Sequence, residues 1–572
     1  MSKQNLMAYA RGDKPVDLAI KNAQVVNVFT GKIMETTVGI HEGIIVGFGA
    51  YQARSIVDAK GAYMVPGFID GHVHIESSML LPGEFAKVIV PKGTTSIIAD
   101  PHEIANVTGV KGIEYLLKLS EAIPLNVYMM APSCVPATPF EHAGGVVNKD
   151  DIAKLKTLPG ILGLGEVMDY PSVINGEREI FAKLEVMNDR MIDGHAPDIT
   201  GMALNAYCTA GVKTDHECTT QKSMNARLDR GMFVHLREGS QTRNVRDLLP
   251  GVTKENSHNL LFCTDDKHPE DILREGHINY NVNLATAYGI DPIRAIQMAT
   301  INTARAYKLD NIGAIAPGYK ADFFLSDSIE SITPYVVYKD GRKVAEDEKA
   351  LFEVQSYKDS SLCDTVHIDV DKLDFTLPLT SKHVYAIGIV KNNITTTKET
   401  VTVDIEDGHY VHNARKDLLK IAVIERHHRT NQIGVALLKG FGLSHGAIAM
   451  SIAHDSHNII VVGDSDQAMR TAVIELEAMH GGIVVVKDDE VHHALALEVA
   501  GIISMQPYDV VAESLKTMTE TVRGMGVSKA IDDPFITLAF LALPVIPALK
   551  ITDQGLFDVE QFSLIDLEVD KS

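Results

Sequence analysis

The sequence predicts an α/β protein: a (β/α)8 TIM-like barrel, a flanking β-sandwich built from both sides of the barrel segment, and a C-terminal α/β domain. Three observations support this prediction. The chain of 572 residues is too long for one compact core. A short apolar run followed by polar residues recurs at intervals of roughly 20 to 35 residues, the length of a strand plus a covering helix. Strand-rich segments enclose this recurring unit on both sides.

The enclosing segments have matching patterns. Residues 16–63 alternate apolar and polar positions between turn signals, and residues 317–344 resume the same pattern. Each segment alone would leave a long unpaired edge, so we expect one shared sandwich rather than two separate sheets. The predicted boundaries are 1–65 with 317–356 for the sandwich, 66–316 for the barrel and 357–572 for the C-terminal domain.

Eight apolar runs predict the barrel strands. In this fold the residues that follow each strand converge at one end of the barrel, where the active site forms. The runs end at Ile69, Ala99, Met130, Leu164, Ile192, Thr214, Val234 and Cys263. The polar residues after them are His72 and His74; Asp100, His102 and Glu103; Ser133 and Cys134; Glu166; His195; His216 and Glu217; Arg237 and Glu238; and Asp265 and Asp266.

The region after residue 356 predicts a separate α/β domain. Short buried strands alternate there with helical segments such as 465–480. Its cluster His454-Asp-Ser-His457 leaves two interpretations open. The histidines could contact a substrate or hold a second metal, or the segment could be a strand-to-helix turn with Asp455 or Ser456 as the helix cap.

Composition excludes several classes of partner. The formal net charge of −22 would repel phosphate backbones and anionic membrane surfaces. Five cysteines without paired spacing indicate a reducing compartment. The N-terminus has no signal-peptide core, and the longest apolar stretch, 535–551, is interrupted by Pro544, Pro547 and Lys550. We therefore expect a cytoplasmic protein that binds neither nucleic acid nor a membrane.

Histidines and carboxylates at the strand ends predict a binuclear metal centre. His72 and His74 point to the same face because residues two apart on a strand do so. An isolated His-x-His pair is more often structural, but the other predicted strand ends supply further residues of metal-ligand type. We expect His72, His74 and Asp265 to hold one ion, His195 and His216 the other, and Glu166 to bridge them. A set without cysteine makes Mn²⁺ or Fe²⁺ at least as suitable as Zn²⁺.

Such a centre predicts hydrolysis at an sp² carbon, since two cations sharing a water lower its pKa toward neutrality. Asp265 is the candidate for taking up the proton of the attacking hydroxide. Glu238 and Glu217 are candidates for the acid that protonates the substrate. Either residue could instead orient His216 or His235, and Arg237 could be the ion-pair partner of Glu238.

Several longer motifs carry a resemblance to a known family. The segment Val65-Pro-Gly-Phe-Ile-Asp-Gly-His-Val-His74 and the split sandwich resemble the amidohydrolase superfamily. Within it, the chain resembles the adenine deaminase family along nearly its whole length. The motifs are Ile75–Met79, Ala99–Val107, Ser133–Pro136, Glu166–Pro171, Leu236–Ser240, Cys263–Asp266, Ala453–Asn458 and Leu543–Lys550.

This resemblance implies hydrolysis of adenine to hypoxanthine and ammonia, a step of purine salvage, with a binuclear Mn or Fe centre and a homodimer. It implies the same six metal ligands. Many relatives bridge their metals with a carboxylated lysine, and Glu166 at that strand end fits the adenine deaminase branch. We expect a metal-bridged hydroxide to attack C6, Glu238 or a neighbouring acid to protonate the ring, and Asp265 to relay the proton.

Five further residues are expected to bind the substrate, with the C-terminal domain closing the pocket. They are Asp100, His102, Glu103, Ser133 and Arg237. Two other functions stay open at this point. One is another amidohydrolase that acts on a cyclic amide or a different nucleobase. The other is a non-catalytic scaffold on the same barrel, against which the converging ligands argue.

Overall fold

A computed structural model describes residues 3–355, 357–391 and 393–569. Its centre is a set of eight parallel strands, which form a five-stranded and a three-stranded arc. The strands are Phe68–Val73, Thr94–Ala99, Asn126–Ala131, Ile161–Val167, Met191–Gly194, Thr214–Asp215, Phe233–Arg237 and Leu260–Cys263. All eight predicted apolar runs are strands, and together they make a TIM-like barrel.

Backbone hydrogen bonds join the two arcs at both seams. The N–H of Lys213 donates to the carbonyl of Ile192 at 3.0 Å, which links the fifth and sixth strands. The N–H of Asp265 donates to the carbonyl of His72 at 3.0 Å, which links the segment after the eighth strand to the first. The barrel is therefore closed where the first and last predicted metal ligands lie.

Helices between the strands cover the outside of the barrel. Six of these thirteen begin with a proline in the first turn or a side-chain cap, and apolar residues of the helices are buried in the core. They are Pro82–Ile89, His102–Thr108, Val110–Ser120, Lys149–Leu155, Tyr170–Asn175, Arg178–Val186, Gly201–Thr209, Gln221–Leu228, Val245–Leu248, Pro269–Glu275, Ile278–Tyr288, Pro292–Met298 and Ile301–Ala306.

The segments on either side of the barrel form one sheet of nine strands. The junction is the antiparallel pair Tyr63–Pro66 and Phe323–Ser326, in which Val65 lies opposite Phe324. The strands before the barrel are Val16–Asn27, Lys32–His41, Ile44–Phe48, Ala53–Asp58 and Tyr63–Pro66. Those after it are Phe323–Ser326, Val336–Lys339, Arg342–Glu346 and Lys349–Ala350. This pairing joins residues more than 250 positions apart and supplies hydrogen-bond partners to strand edges that each segment would otherwise leave unpaired.

The C-terminal region contains a sheet of eight strands, mostly antiparallel. They are His383–Ile389, Thr396–Thr402, Leu418–Ile424, Ile433–Lys439, Gly446–Met450, Ile459–Gly463, Gly482–Lys487 and Glu490–Ala496. Helix Asp466–Ala478 covers this sheet, and helices Tyr508–Gly524 and Pro534–Ala539 follow. Two small sheets complete the region, made of Asp404–Glu406 with His409–Val411, and of Leu549–Thr552, Gly555–Asp558 and Ser563–Leu564. Helix Lys3–Ala10 precedes the first strand of the chain.

Two observations complete the description. All five cysteines are free, as their spacing predicted. In the described part of the chain, each helix falls short of the length and apolar character that crossing a membrane requires.

Candidate active site

The first half of the predicted centre lies at the junction of the first and last barrel strands. The Nε2 atoms of His72 and His74 are 3.1 Å apart, and His74 Nε2 lies 3.0 Å from Asp265 Oδ1. The alternation of side chains along the strand places both rings on the inner face. His74 Nδ1 is 2.9 Å from the carbonyl of Asp100, so this nitrogen carries the proton. The lone pair of His74 Nε2 therefore faces the centre.

The second half lies across the barrel mouth, and Glu166 connects the two. Glu166 Oε2 is 2.8 Å from His195 Nδ1 and 3.1 Å from His216 Nε2. The other carboxylate oxygen, Oε1, is 3.4 Å from His74 Nε2 and 3.8 Å from His72 Nε2. Each oxygen of Glu166 thus faces one histidine pair, which is the arrangement that a bridging carboxylate requires.

These donors fit two divalent cations. His195 Nδ1 and His216 Nε2 are 3.1 Å apart, as are His72 Nε2 and His74 Nε2. Ring nitrogens therefore converge in both halves of the centre, where a cation could accept their lone pairs. Nitrogen and oxygen donors without sulfur suit Mn²⁺, Fe²⁺ or Zn²⁺.

The electrostatics of the centre favour a charged bridge. Burial alone would raise the pKa of Glu166, but the neighbouring His195 and His216 outweigh burial and lower it well below its usual range. His235 lies beneath the centre, where burial lowers its pKa well below the ordinary value and keeps the imidazole neutral. The carboxylate of Glu166 is therefore available as an anionic ligand.

An arginine connects two of the predicted proton-transfer residues. Arg237 Nη1 donates to Asp265 Oδ2 at 2.8 Å and to Glu217 Oε1. Burial alone would raise the pKa of Glu217, but the guanidinium of Arg237 lowers it. Asp265 Oδ2, the oxygen that does not face His74, is thus held by Arg237, because one guanidinium can serve two carboxylates.

A pocket opens over the centre, and two walls bound it. The barrel wall consists of His74, His102, Glu103, Glu166, Met168, His195, His216, Glu217, Arg237, Thr242, Asp265 and Asp266. The C-terminal wall consists of Ile394, His454, Asp455, Phe540, Leu543 and Ile546. The barrel wall is charged and polar, whereas four of the six residues in the C-terminal wall are apolar.

Comparison with known proteins identifies the family. Residues 63–347 match the amidohydrolase family, and residues 393–563 match the adenine deaminase C-terminal domain. Adenine deaminase 2 of Carboxydothermus hydrogenoformans is 46% identical over 99% of this chain and 99% of its own. Adenine deaminase of Halalkalibacterium halodurans is 45% identical over 98% of both chains, and that of Petrotoga mobilis 44% over 100% of both. The chain belongs to the adenine deaminase family. Membership of the amidohydrolase family also implies a divalent metal.

Three of the residues predicted for catalysis or substrate binding are not among those that line the pocket. Glu238 is not part of either wall; its Oε2 accepts from the N–H of Val245 at 3.3 Å, and its Oε1 is 3.8 Å from Arg243. Asp100 lies behind Glu166, and its Oδ2 accepts a hydrogen bond from the N–H of Glu166 at 2.8 Å. The hydroxyl of Ser133 donates to the carbonyl of Glu166. Asp100 and Ser133 thus bind the backbone of Glu166 and are not among the residues that line the pocket.

The interpretation of Arg237 as the partner of Glu238 is wrong. Arg237 is the last residue of its strand and pairs with Glu217 and Asp265, whereas Glu238 follows the strand and lies near Arg243. The predicted end of the seventh strand at Val234 is also too early, since the strand runs to Arg237. His102, Glu103 and Arg237 lie in the barrel wall of the pocket, and their contact with a substrate stays a prediction.

Sequence reasoning missed most of the C-terminal wall. Ile394, Phe540, Leu543 and Ile546 come from two separate segments, and their apolar side chains give no ligand-like signal. His454 and Asp455 belong to the His-Asp-Ser-His cluster, and Leu543 and Ile546 belong to a motif that carried the family resemblance but was given no role in the pocket. Asp266 in the barrel wall was recognised as a strand-end residue but given no role; burial and the charge of Asp265 raise its pKa.

Proposed function

We propose that this protein hydrolyses adenine to hypoxanthine and ammonia. The observation that carries the proposal is Glu166, whose two oxygens each face one histidine pair at the mouth of the barrel. The full-length similarity to adenine deaminases supports the choice of substrate. We assign His72, His74 and Asp265 to one cation, His195 and His216 to the other, and Glu166 to both.

The metals are proposed to be Mn²⁺ or Fe²⁺, with Zn²⁺ as an alternative, because the donors are nitrogen and oxygen only. When bound, divalent cations supply hydroxide near pH 7 by lowering the pKa of water. The protein side chains then have to move two protons. In the balanced reaction the oxygen of water bonds to C6 and the C6–amino bond breaks. One proton of water reaches N1 of the ring and the other leaves with the amino group as ammonia.

Asp265 and Glu217 are the residues that we propose move these protons. Arg237 contacts both carboxylates, so it holds them side by side in the barrel wall. Both carboxylates begin charged, and each takes up one of the two protons of water. Asp265 passes its proton to the leaving amino group, and Glu217 passes its proton to N1 of the ring. Glu217 replaces Glu238 in this role because Glu217 lines the pocket and Glu238 does not.

The C-terminal wall excludes water and covers the faces of a flat aromatic base. Apolar side chains such as Phe540 and Leu543 lie opposite the charged centre, an arrangement that suits a purine with one reactive edge. His102 and Glu103 lie beside this wall, where they are placed to contact the ring. We assign the remaining polar contacts of the substrate to these two residues and Arg237.

Three further assignments belong to the proposal. The domains are the split sandwich of residues 1–65 and 317–356, the barrel of residues 66–316 and the C-terminal domain of residues 357–572. The C-terminal domain closes the pocket. The protein acts as a homodimer in the cytoplasm, as the family resemblance and the sequence predict.

The test combines metal analysis with product analysis. Protein expressed with added manganese and restricted iron should contain two metals per chain and release ammonia from adenine, with hypoxanthine as the other product. Chelator treatment should abolish release, and added Mn²⁺ should restore it. Asp265→Asn should reduce turnover to near background. Two metals with a ring-opened acid as product, or full turnover of Asp265→Asn, would contradict the proposal.

A further inference from the structure

His454 is the histidine of the C-terminal wall. Its Nδ1 lies 2.7 Å from Glu103 Oε1, a residue 351 positions earlier in the chain. One face of its ring stacks on Phe540, with the ring centroids 4.4 Å apart and the planes 22° from parallel. The ring is therefore held from two directions while it lines the pocket.

The other nitrogen of His454 is left for a ligand. Nδ1 donates to Glu103, and Nε2 has no hydrogen bond to any other described residue. A carboxylate that binds one nitrogen of an imidazole sets the direction of the other, as it does in catalytic dyads. The geometry thus presents an oriented, unpartnered Nε2 at the wall opposite the histidine centre.

His457 binds the same carboxylate but has a different environment. The N–H of Ala453 donates to His457 Nδ1 at 3.3 Å, so Nδ1 is unprotonated. The proton must then be on Nε2, which donates to Glu103 Oε2. A metal ligand would need a lone pair on Nε2, so this tautomer argues against a third metal between Glu103, His454 and His457. His457 is not part of the pocket wall, and its contact serves only to hold Glu103.

We propose that His454 donates a hydrogen bond from Nε2 to a ring nitrogen of the purine, and that Glu103 is the residue that positions it. The inference rests on the proposed function for its substrate class. It assigns the C-terminal region a direct part in recognising the base, and it changes Glu103 from a substrate contact to a positioning residue. A purine offers three unprotonated ring nitrogens as acceptors, one more than a pyrimidine.

The electrostatic environment of His454 agrees with a donor at Nε2. Burial alone would lower the pKa of His454, but the charge of Glu103 and the hydrogen bond to it outweigh burial and raise the pKa to about 9. By contrast, burial lowers the pKa of His457. Asp266 and Asp455 also face His454 from the two walls and favour its cation. The pair therefore divides into a charged imidazole at the pocket and a neutral one behind it.

The test measures binding of ligands that cannot release ammonia. The ligands are purine and its 1-deaza, 3-deaza and 7-deaza analogues, each of which lacks one ring nitrogen of purine. Their dissociation constants can be measured by calorimetry on the metal-loaded enzyme. One deazapurine should bind wild type roughly 10- to 100-fold more weakly than purine, the loss expected for a hydrogen bond from a charged donor. In His454→Ala the same penalty should fall to within about twofold, because the partner is gone.

His457→Ala is the matched control, since it also removes one hydrogen bond to Glu103 but no pocket atom. It should keep the deazapurine penalty. His454→Phe preserves the stacking on Phe540 and serves if the alanine variant does not fold. Both His454 variants should retain two metals per chain. Equal penalties in wild type and the folded His454 variant, or a third metal lost on substitution, would overturn the inference. Ammonia release by wild type is scored separately, so a wrong reaction and a wrong contact give different results.

Discussion

The barrel wall of the pocket is charged, and the C-terminal wall is mostly apolar. Every predicted metal ligand lies at or just after the end of a barrel strand, where neighbouring strands support it on both sides. Residues of the C-terminal wall come from a loop, from the turn between strands Gly446–Met450 and Ile459–Gly463, and from the segment around helix Pro534–Ala539. The turn that holds His454 thus joins two strands, and the predicted strand-to-helix turn with Asp455 or Ser456 as the helix cap is wrong. On the proposed function, we infer a division of labour in which the barrel wall performs the reaction and the C-terminal wall selects and covers the base.

The largest expected effect comes from removing the bridge of the barrel wall. Glu166→Gln keeps the shape of the side chain but removes the charge that both histidine pairs face. We expect deaminase activity to fall more than ~10³-fold, because residues that act as a unit fail together. Metal content should fall from two per chain toward one, as measured by elemental analysis. Exposed Glu121→Gln is the control, and full metal content with activity within tenfold of wild type would show that Glu166 is not shared.

An intermediate effect is expected in the C-terminal wall. Leu543→Ala removes apolar surface that would cover the base, so KM for adenine should rise about tenfold, as loss of a pocket contact worth 1–3 kcal/mol implies. The value of kcat should change less than about threefold, and two metals should remain. Leu556→Ala truncates an equally buried leucine outside both walls and should leave KM unchanged. A large loss of kcat in Leu543→Ala would contradict the proposal that the C-terminal wall covers the base and the barrel wall performs the reaction.

The smallest effect concerns the support of the C-terminal wall. Lys550 is fully buried and donates to the carbonyls of Ile394 at 2.7 Å and Phe540 at 2.9 Å, which ties two wall segments together. Burial lowers the pKa of Lys550 to about 7. Between pH 7 and about 10.4 the unfolded chain therefore binds one proton more than the folded chain, so stability rises with pH.

Lys550→Met should remove this dependence on pH. The melting temperature of wild type relative to the variant should increase by at least ~2 °C between pH 7 and pH 9.5, measured by differential scanning calorimetry. Exposed Lys516→Met should show no such trend. A difference that shrinks as the pH rises would mean that the buried lysine keeps its charge and has an unseen partner.

Much of the barrel wall was predictable because strand periodicity is local. Alternation over two residues placed His72 and His74 together, and the position of polar residues after apolar runs identified Glu166, His195, His216 and Asp265. The ion pair expected between Arg237 and Glu238 is absent among the described contacts, because Arg237 pairs with Glu217 and Asp265 while Glu238 lies near Arg243. That interpretation considered only neighbours in the sequence and not which side chains share a face.

The amino-acid sequence by itself determined the eight strands, the ligand types at their ends and the resemblance to a family, because each depends on short-range pattern. Only the tertiary structure decided which carboxylate faces the pocket, that Arg237 joins Asp265 to Glu217, and that Glu103 meets His454 from the far end of the chain. Contacts over such separations depend on how buried surfaces pack, and no local period encodes them.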